Sequence, residues 1–276
     1  MKKKFIIFTD LDATLLDENY SWEKAIPALN ELNKLKIPLI LNSSKTICEI
    51  ERIREDLNIF YPVIAENGAV IGIPNDFEDT NSNCKKLNTR ISGLLNREEI
   101  IEIIKKIREE NDFKFEGFSD WSIEKIMDRT NLNEKEAKRS NNRLATEPIK
   151  WLDSMKRFEN FCEQINIYGL GCISGGRFKH IMPLKVDKGT GLTSVLGIYR
   201  KKYPKENFCT ISLGDSYNDI PMFNKSNISI LISKLNSTLT NLKFPNLVVS
   251  KKYGPSGWNE ELLKLLKNNM NFKMVV

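Results

Sequence analysis

Four apolar residues in a row, Phe5 to Phe8, run into two carboxylates two positions apart, within Phe-Ile-Ile-Phe-Thr-Asp10-Leu-Asp12-Ala-Thr-Leu-Leu. A short apolar run of this kind reads as a buried strand. Residues i and i+2 of an extended segment lie on one face, so both carboxylates leave the carboxyl end of the strand toward one point. In open α/β sheets that end is where ligands bind. Two like charges held so close raise a pKa, and a cation beside them relieves the repulsion. The plainer alternative is a polar loop in which one Asp caps a helix, and this stretch alone does not separate the two.

The same strand-to-helix rhythm continues on both sides of a long middle segment. A helix over 21–36, capped by Ser21 and carrying Pro27 in its first turn or at a kink, leads to a strand over 37–41. That strand ends in Asn42-Ser43-Ser44-Lys45, before a helix over 46–57. A strand over 61–65 and a short apolar run over 70–73 make a hairpin turning at Asn67-Gly68. Far downstream, a helix over 189–202 precedes a strand over 208–213 that ends in Gly214-Asp215-Ser216-Tyr217-Asn218-Asp219. Strands over 227–232 and 246–250 and a helix over 257–267 follow. Between these halves, a polar linker at 80–86 opens a region of mixed order. It holds a helix started by the pair Asn96 and Glu99, strands over 114–118, 149–152, 168–174 and 177–182, and helices over 123–129, 134–142 and 153–165. The expected fold class is therefore α/β, a Rossmann-like core over 1–80 and 184–276 with a mostly parallel sheet, interrupted by an α+β insertion over 81–183.

Composition narrows the function classes. The chain has 276 residues and a net charge of +6, but Lys and Glu are interspersed and the one basic run is Lys2 to Lys4. That is a solvated surface and not a nucleic-acid footprint. Five scattered cysteines, odd in number and without metal-ligand spacing, fit a reduced, cytoplasmic protein. The apolar run at the start stops at Asp10, too short for a leader, and no apolar segment is long enough to span a bilayer. The positive balance allows a mild bias toward small anionic substrates, and nucleic acid, membrane and an obligate protein partner are not expected.

Two acidic strand ends, Asp10/Asp12 and Asp215/Asp219, thus lie at opposite ends of the sequence. A parallel sheet can bring both to one crevice. Magnesium is an oxygen-seeking cation usually held by one or two carboxylates with waters and a phosphate. Lys188, at the start of a helix, could neutralise a transferring phosphoryl group. The hydroxyl of Ser43 could bind a phosphate with backbone N–H groups, although a cap for the next helix explains it as well. An Asp nucleophile, a second Asp, a cation, a hydroxyl and a Lys together make a phosphoryl-transfer site.

Taken as a set, Asp10-Leu11-Asp12-Ala13-Thr14, Ser43, Lys188 and Gly214 through Asp219 resemble the haloacid dehalogenase superfamily of phosphohydrolases. Ala13 stands where the family commonly has Gly, an exchange expected to be tolerated if the local φ is negative. The insertion is similar to the large (C2-type) cap of the sugar-phosphatase branch. Within it, Glu66-Asn67-Gly68-Ala69, Gly117-Phe118-Ser119-Asp120, Arg143 with Glu147-Pro148, and Ser174-Gly175-Gly176-Arg177-Phe178-Lys179-His180 resemble the mannosyl-3-phosphoglycerate phosphatase family. Relatives acting on glucosyl-3-phosphoglycerate share the pattern.

The resemblance implies that Asp10 attacks phosphorus and that Asp12 protonates the leaving oxygen and then deprotonates water. It implies Mg2+ on Asp10, the Asp12 backbone carbonyl and Asp215, with Asp219 on the ion directly or behind its ligands, and Ser43 and Lys188 on the phosphoryl oxygens. It assigns substrate contacts to Ser44, Lys45, Glu66, Asn67, Arg143, Glu147, Gly176, Arg177, His180 and Asn218. Rival readings stand beside several of these. Arg143 and Arg177 are candidates for a substrate carboxylate or surface arginines. Glu147 meets sugar hydroxyls or pairs with an Arg, Glu66 and Asn67 touch substrate or form a hairpin turn, and Asn218 supports its loop or Lys188. His180, the sole histidine, is structural or a substrate contact, and Phe118 and Trp121 are core residues or stack on a sugar. A related sugar phosphatase, for instance on sucrose phosphate, is the alternative activity. A receiver-type regulatory protein is disfavoured by Asp12 and by the insertion.

Overall fold

The computed structural model describes residues 3–75, 77, 86–175, 177–234, 239 and 245–271. Gly176 and nearly all of the expected linker at 80–86 lie outside the described residues. The chain divides into two compact units, Met1–Ser43 with Leu192–Val276, and Ser44–Gly191.

In the first unit the strands are β1 (Lys3–Thr9), β2 (Leu39–Asn42), β10 (Asn207–Gly214), β11 (Ile228–Ser233) and β12 (Leu247–Tyr253). Their order is β12-β11-β10-β1-β2, and every pairing is parallel. The interiors of β1 and β2 are apolar runs, as strands covered on both faces require, β10 interleaves buried Thr210 and Ser212 with its apolar residues, and Ile6, Ile7, Phe8, Ile40, Leu41 and Ile211 are fully buried. Thr9 sits opposite Leu213 across β1 and β10, and the Asp10 N–H donates to the Leu213 carbonyl at 2.9 Å. The two acidic strand ends predicted from opposite ends of the sequence are therefore neighbours in the sheet.

Three helices of this unit are α1 (Ile26–Lys34), α8 (Ile220–Phe223) and α9 (Gly254–Asn271). α1 starts through a 3-10 turn at Glu23–Ala25, with Pro27 in its first turn, where a missing N–H does no harm. Ser21 Oγ accepts from Glu23 N at 3.2 Å, the first N–H of the 3-10 turn, while the residues at the N-cap positions, Trp22 and Ala25, make no side-chain cap hydrogen bond. Trp258 of α9 is fully buried.

The second unit holds α2 (Ile47–Asp56), β3 (Val63–Ala65), β4 (Val70–Pro74) and β5 (Leu87–Ile91), the last three joined antiparallel. It continues with α3 (Arg97–Asn111), β6 (Phe115–Gly117), α4 (Ile123–Thr130), α5 (Glu134–Asn141), β7 (Glu147–Trp151), α6 (Met155–Ile167), β8 (Leu170–Gly175) and β9 (Phe178–Pro183). These last strands form an antiparallel sheet in the order β6-β7-β9-β8. Ile100, Ile104 and Ile107 of α3 and Phe161 and Ile165 of α6 pack with Phe113, Phe115, Ile149, Leu170 and Ile181. A second cluster joins Phe118, Trp121, Ile126 and Ala137, which makes both aromatics core residues. The unit is wider than the 81–183 insertion, because hydrogen bonds tie residues 44 and 66 to residues 143–146. α7 (Lys188–Lys202) begins at its downstream end.

Candidate active site

Asp10, Asp215 and Asp219 are all buried, and one oxygen from each lies within 4.8 Å of the others. Local geometry explains how three carboxylates tolerate this. Asp10 follows β1 directly, and the turn beyond it closes by hydrogen bonds from Thr14 N (3.2 Å) and Leu16 N (2.8 Å) to the Leu11 carbonyl. Ala13 carries this turn at φ +55°, so the condition under which Ala was expected to be tolerated, a negative φ, is not met. A β-carbon in the left-handed region costs about 1 kcal/mol, and the turn imposes it here without a glycine. From the far end of the chain, Trp258 Nε1 donates to Thr9 Oγ1 at 2.9 Å, and Thr9 Oγ1 donates to the Asp10 carbonyl at 2.8 Å. The backbone at Asp10 is thereby fixed from two sides.

The second acidic loop folds on itself. Asp219 Oδ2 accepts from Asp215 N at 2.9 Å and Ser216 N at 3.0 Å. Gly214 is required for this closure: a β-carbon there would stand 2.3 Å from Asp219 Cγ. Asn218 Oδ1 accepts from Ser216 Oγ at 2.6 Å, so Asn218 supports its loop, one of the two roles expected of it. Asp215 accepts from Thr14 Oγ1 at 3.4 Å on Oδ1 and from Lys234 Nζ at 2.6 Å on Oδ2. Asp12 is half-buried in the turn and is not one of the three clustered carboxylates. Ser43 is fully buried after β2. Thr46, with Glu49, caps α2, so the expected capping role of Ser43 falls to a different residue.

An all-oxygen, triply acidic donor set fits a hard divalent cation such as magnesium. Asp10, Asp215 and Asp219 would hold it, and the ion would neutralise their charge and that of a phosphate brought beside them.

In the second unit, Lys188 opens α7 and is almost fully buried. Asp187 caps that helix by accepting from Thr190 N at 2.7 Å. Gly68, at φ +97°, lies so close that a β-carbon would be 2.0 Å from the Asp187 carbonyl oxygen. The hairpin between β3 and β4 thus positions the start of α7 and Lys188 with it.

The residues matched to the substrate-binding pattern have divergent fates. Glu66 is fully buried and accepts from Leu144 N (2.8 Å), Ala145 N (3.1 Å) and Thr146 Oγ1 (2.7 Å). Its carboxylate is occupied in organising the chain. Asn67 sits in the hairpin turn at φ +57°. Glu147 pairs with Arg97 Nε at 2.8 Å and accepts from Ser119 N at 2.7 Å, the arginine pairing that rivalled sugar recognition. Arg177 donates to the Arg129 and Thr130 carbonyls at the end of α4. The Ser44 carbonyl accepts from Arg143 at 3.4 Å, and the Lys45 carbonyl from Glu66 N at 2.9 Å, so these two enter through their backbones.

Arg143 and His180 differ from the rest. Arg143 donates to Thr146 Oγ1 at 2.8 Å. Among the described residues, its buried Nε and the buried Nδ1 of His180 have no hydrogen-bond partner. Burial, with the Arg143 charge nearby, pushes the His180 imidazole down to about 3. It is therefore neutral at ordinary pH.

Residues 7–242 match the family model of the haloacid dehalogenase-like hydrolases. The chain belongs to that family. A glucosyl-3-phosphoglycerate/mannosyl-3-phosphoglycerate phosphatase from Persephonella marina is 36% identical over 95% of this chain and 97% of its own. A protein of the same description from Methanococcoides burtonii is 34% identical over 97% of this chain and 99% of its own. Among solved structures, a haloacid dehalogenase-like hydrolase from B. subtilis matches with a TM-score of 0.66 and 16% identity, covering 94% of this chain and 99% of that one. That likeness concerns the fold.

Thr9, Thr14, Trp258 and Lys234 were missed as site residues. The signal for Lys234 was present in the sequence: it follows the apolar run Ile228 to Ile232, as Asp10 and Asp215 follow theirs. Polar residues at such strand ends face the ligand crevice.

Proposed function

We propose that this hydrolase is a magnesium-dependent phosphatase converting mannosyl-3-phosphoglycerate or glucosyl-3-phosphoglycerate to the hexosylglycerate and phosphate, in the cytoplasm, toward a compatible solute. The observation that carries this reading is a buried carboxylate trio at the ends of β1 and β10 in a chain similar over nearly its whole length to two phosphatases of that description.

Asp10 attacks phosphorus and forms an aspartyl-phosphate while Asp12 delivers a proton to the departing sugar-side oxygen. Asp12 then takes a proton from the attacking water, whose oxygen bonds to phosphorus and releases Asp10. Ser43 and Lys188 hold the phosphoryl oxygens. The segment 81–183 confers substrate specificity. Of the two arginines matched to carboxylate recognition, Arg143 is the one we assign, because Arg177 is committed to carbonyls of α4.

The test is phosphate release with magnesium from both hexosylphosphoglycerates and from sucrose phosphate, with Asp10→Asn as blank. Turnover of either glycerate, absent in the blank, is expected. Turnover of sucrose phosphate alone would keep the Asp10 chemistry and overturn the assignment of Arg143. No turnover of any of the three would overturn the reading.

A further inference from the structure

Resting on the metal reading above, we propose that Lys234 is a built-in counter-cation of the carboxylate cluster and sets how tightly the cluster takes a divalent ion. Nothing in the phosphoryl-transfer scheme requires this lysine.

Lys234 Nζ stands 2.6 Å from Asp215 Oδ2, and the lysine side chain is 40% exposed while the Asp215 side chain is 5% exposed. One end of the pair is therefore fixed in the protein and the other reaches in from solvent. The stem is delivered from a rigid base. Ser233 N donates to Ser250 Oγ at 2.9 Å, and Ser233 Oγ donates to the Ser250 carbonyl at 2.5 Å, so β11 is pinned to β12 one residue before the lysine. Across β10 and β11, Gly214 pairs with Leu231, which brings the residues beyond both strand ends to the same edge of the sheet.

Three buried carboxylates with oxygens within 4.8 Å repel one another. An ammonium on Asp215 Oδ2 relieves that repulsion when no ion is present. With Thr14 on Oδ1, both oxygens of Asp215 already receive a donor. An arriving divalent cation must share or displace the ammonium. If the lysine stays, its charge opposes the ion; if it leaves, its ion pair is lost. Both routes weaken ion binding. The ammonium suits such an exchange, being a compact charge on a flexible four-carbon stem. Retaining it trades affinity for a site that stays ordered and releases its ion readily.

The experiment is calorimetric titration of the full-length, chelator-stripped protein with MgCl2 and MnCl2, without substrate. Wild type, Lys234→Met, Lys234→Arg and Asp215→Asn are compared. The methionine variant is expected to bind both ions about tenfold tighter, the scale of one like charge removed beside a partly exposed site. The arginine variant should stay within about twofold of wild type, because it restores the charge. The ion-free methionine variant should melt below ion-free wild type, and saturating MnCl2 should remove the difference. Equal or weaker ion binding in Lys234→Met would overturn the proposal while leaving the metal reading intact. Failure of wild type itself to take up either ion, or uptake unchanged in Asp215→Asn, would overturn both.

Discussion

Glu66 accepts a hydrogen bond from Thr146 Oγ1 at 2.7 Å, although eighty positions separate the two residues. With the N–H groups of Leu144 and Ala145 on the same carboxylate, one fully buried side chain organises the turn that follows Arg143. Glu66→Gln places an amide where three donors converge. A loss of about 2–4 kcal/mol in unfolding free energy is expected, as for a buried charge-assisted network deprived of its acceptor. Denaturant titration measures it. An unchanged midpoint with a raised KM would instead make Glu66 a substrate contact.

Arginine substitutions should separate recognition from scaffolding. Arg143→Ala is expected to raise KM for the hexosylphosphoglycerate by one to two orders of magnitude, the size expected for a lost charge-assisted pair, with a smaller effect on kcat. Arg177→Ala should lower the melting temperature by a few degrees, about 1 kcal/mol, through the uncapped end of α4. Its KM should barely change. Steady-state kinetics and a thermal melt on both variants suffice, and an exchange of the two phenotypes would reverse the assignment.

His180 predicts a pH dependence of stability. Its folded pKa of about 3 lies below the ordinary histidine value, so between the two the unfolded chain binds more protons than the folded one. Stability therefore falls as pH drops below about 6.5 and goes on falling toward 3. At pH 5 the histidine costs on the order of 2 kcal/mol. His180→Gln removes this term, so the stability difference between pH 7 and pH 5 should shrink by about that amount. Equal pH slopes in the two proteins would contradict the burial of a neutral imidazole.

Ala13 holds φ +55° in the turn that follows Asp10. Ala13→Gly should raise stability by up to about 1 kcal/mol, since relief of the left-handed strain outweighs the added freedom of the unfolded chain. Calorimetry gives the sign directly. A lower midpoint would mean that the methyl group contributes packing the turn depends on.

Apolar runs and caps were legible where one local rule decided the outcome. Phe5 to Phe8 and the run to Leu213 could hardly be other than buried strands, and Asn96 with Glu99 starts α3 as read. β5, Leu-Asn-Thr-Arg-Ile, went unread because its residues are mostly exposed and polar, held by β4 and not by an apolar face of its own. The spacing that put Asp12 beside Asp10 did not place it in the cluster, whereas the strand-end carboxylates Asp10, Asp215 and Asp219 followed from the apolar runs before them. The fates of Glu66, Glu147 and Arg177 did not, because a charged residue in a recurring pattern looks the same whether it faces a ligand or a backbone amide. Lys234 carried only the signal of its place after a strand, and its distance to Asp215 was needed to tell it from an ordinary lysine.

Trp258 reaches Thr9 across 249 positions of sequence. During synthesis β1 leaves the ribosome well before its neighbour β10, and the indole that anchors the residue before Asp10 follows later still. Domains tend to fold as units, and transiently exposed apolar segments invite aggregation. The strand that leads to Asp10 must therefore be sheltered until β10 has emerged, and a chain arrested before α9 would carry Asp10 on a backbone that lacks the Trp258 clasp. Asp10 is thus held in place by residues translated long after it.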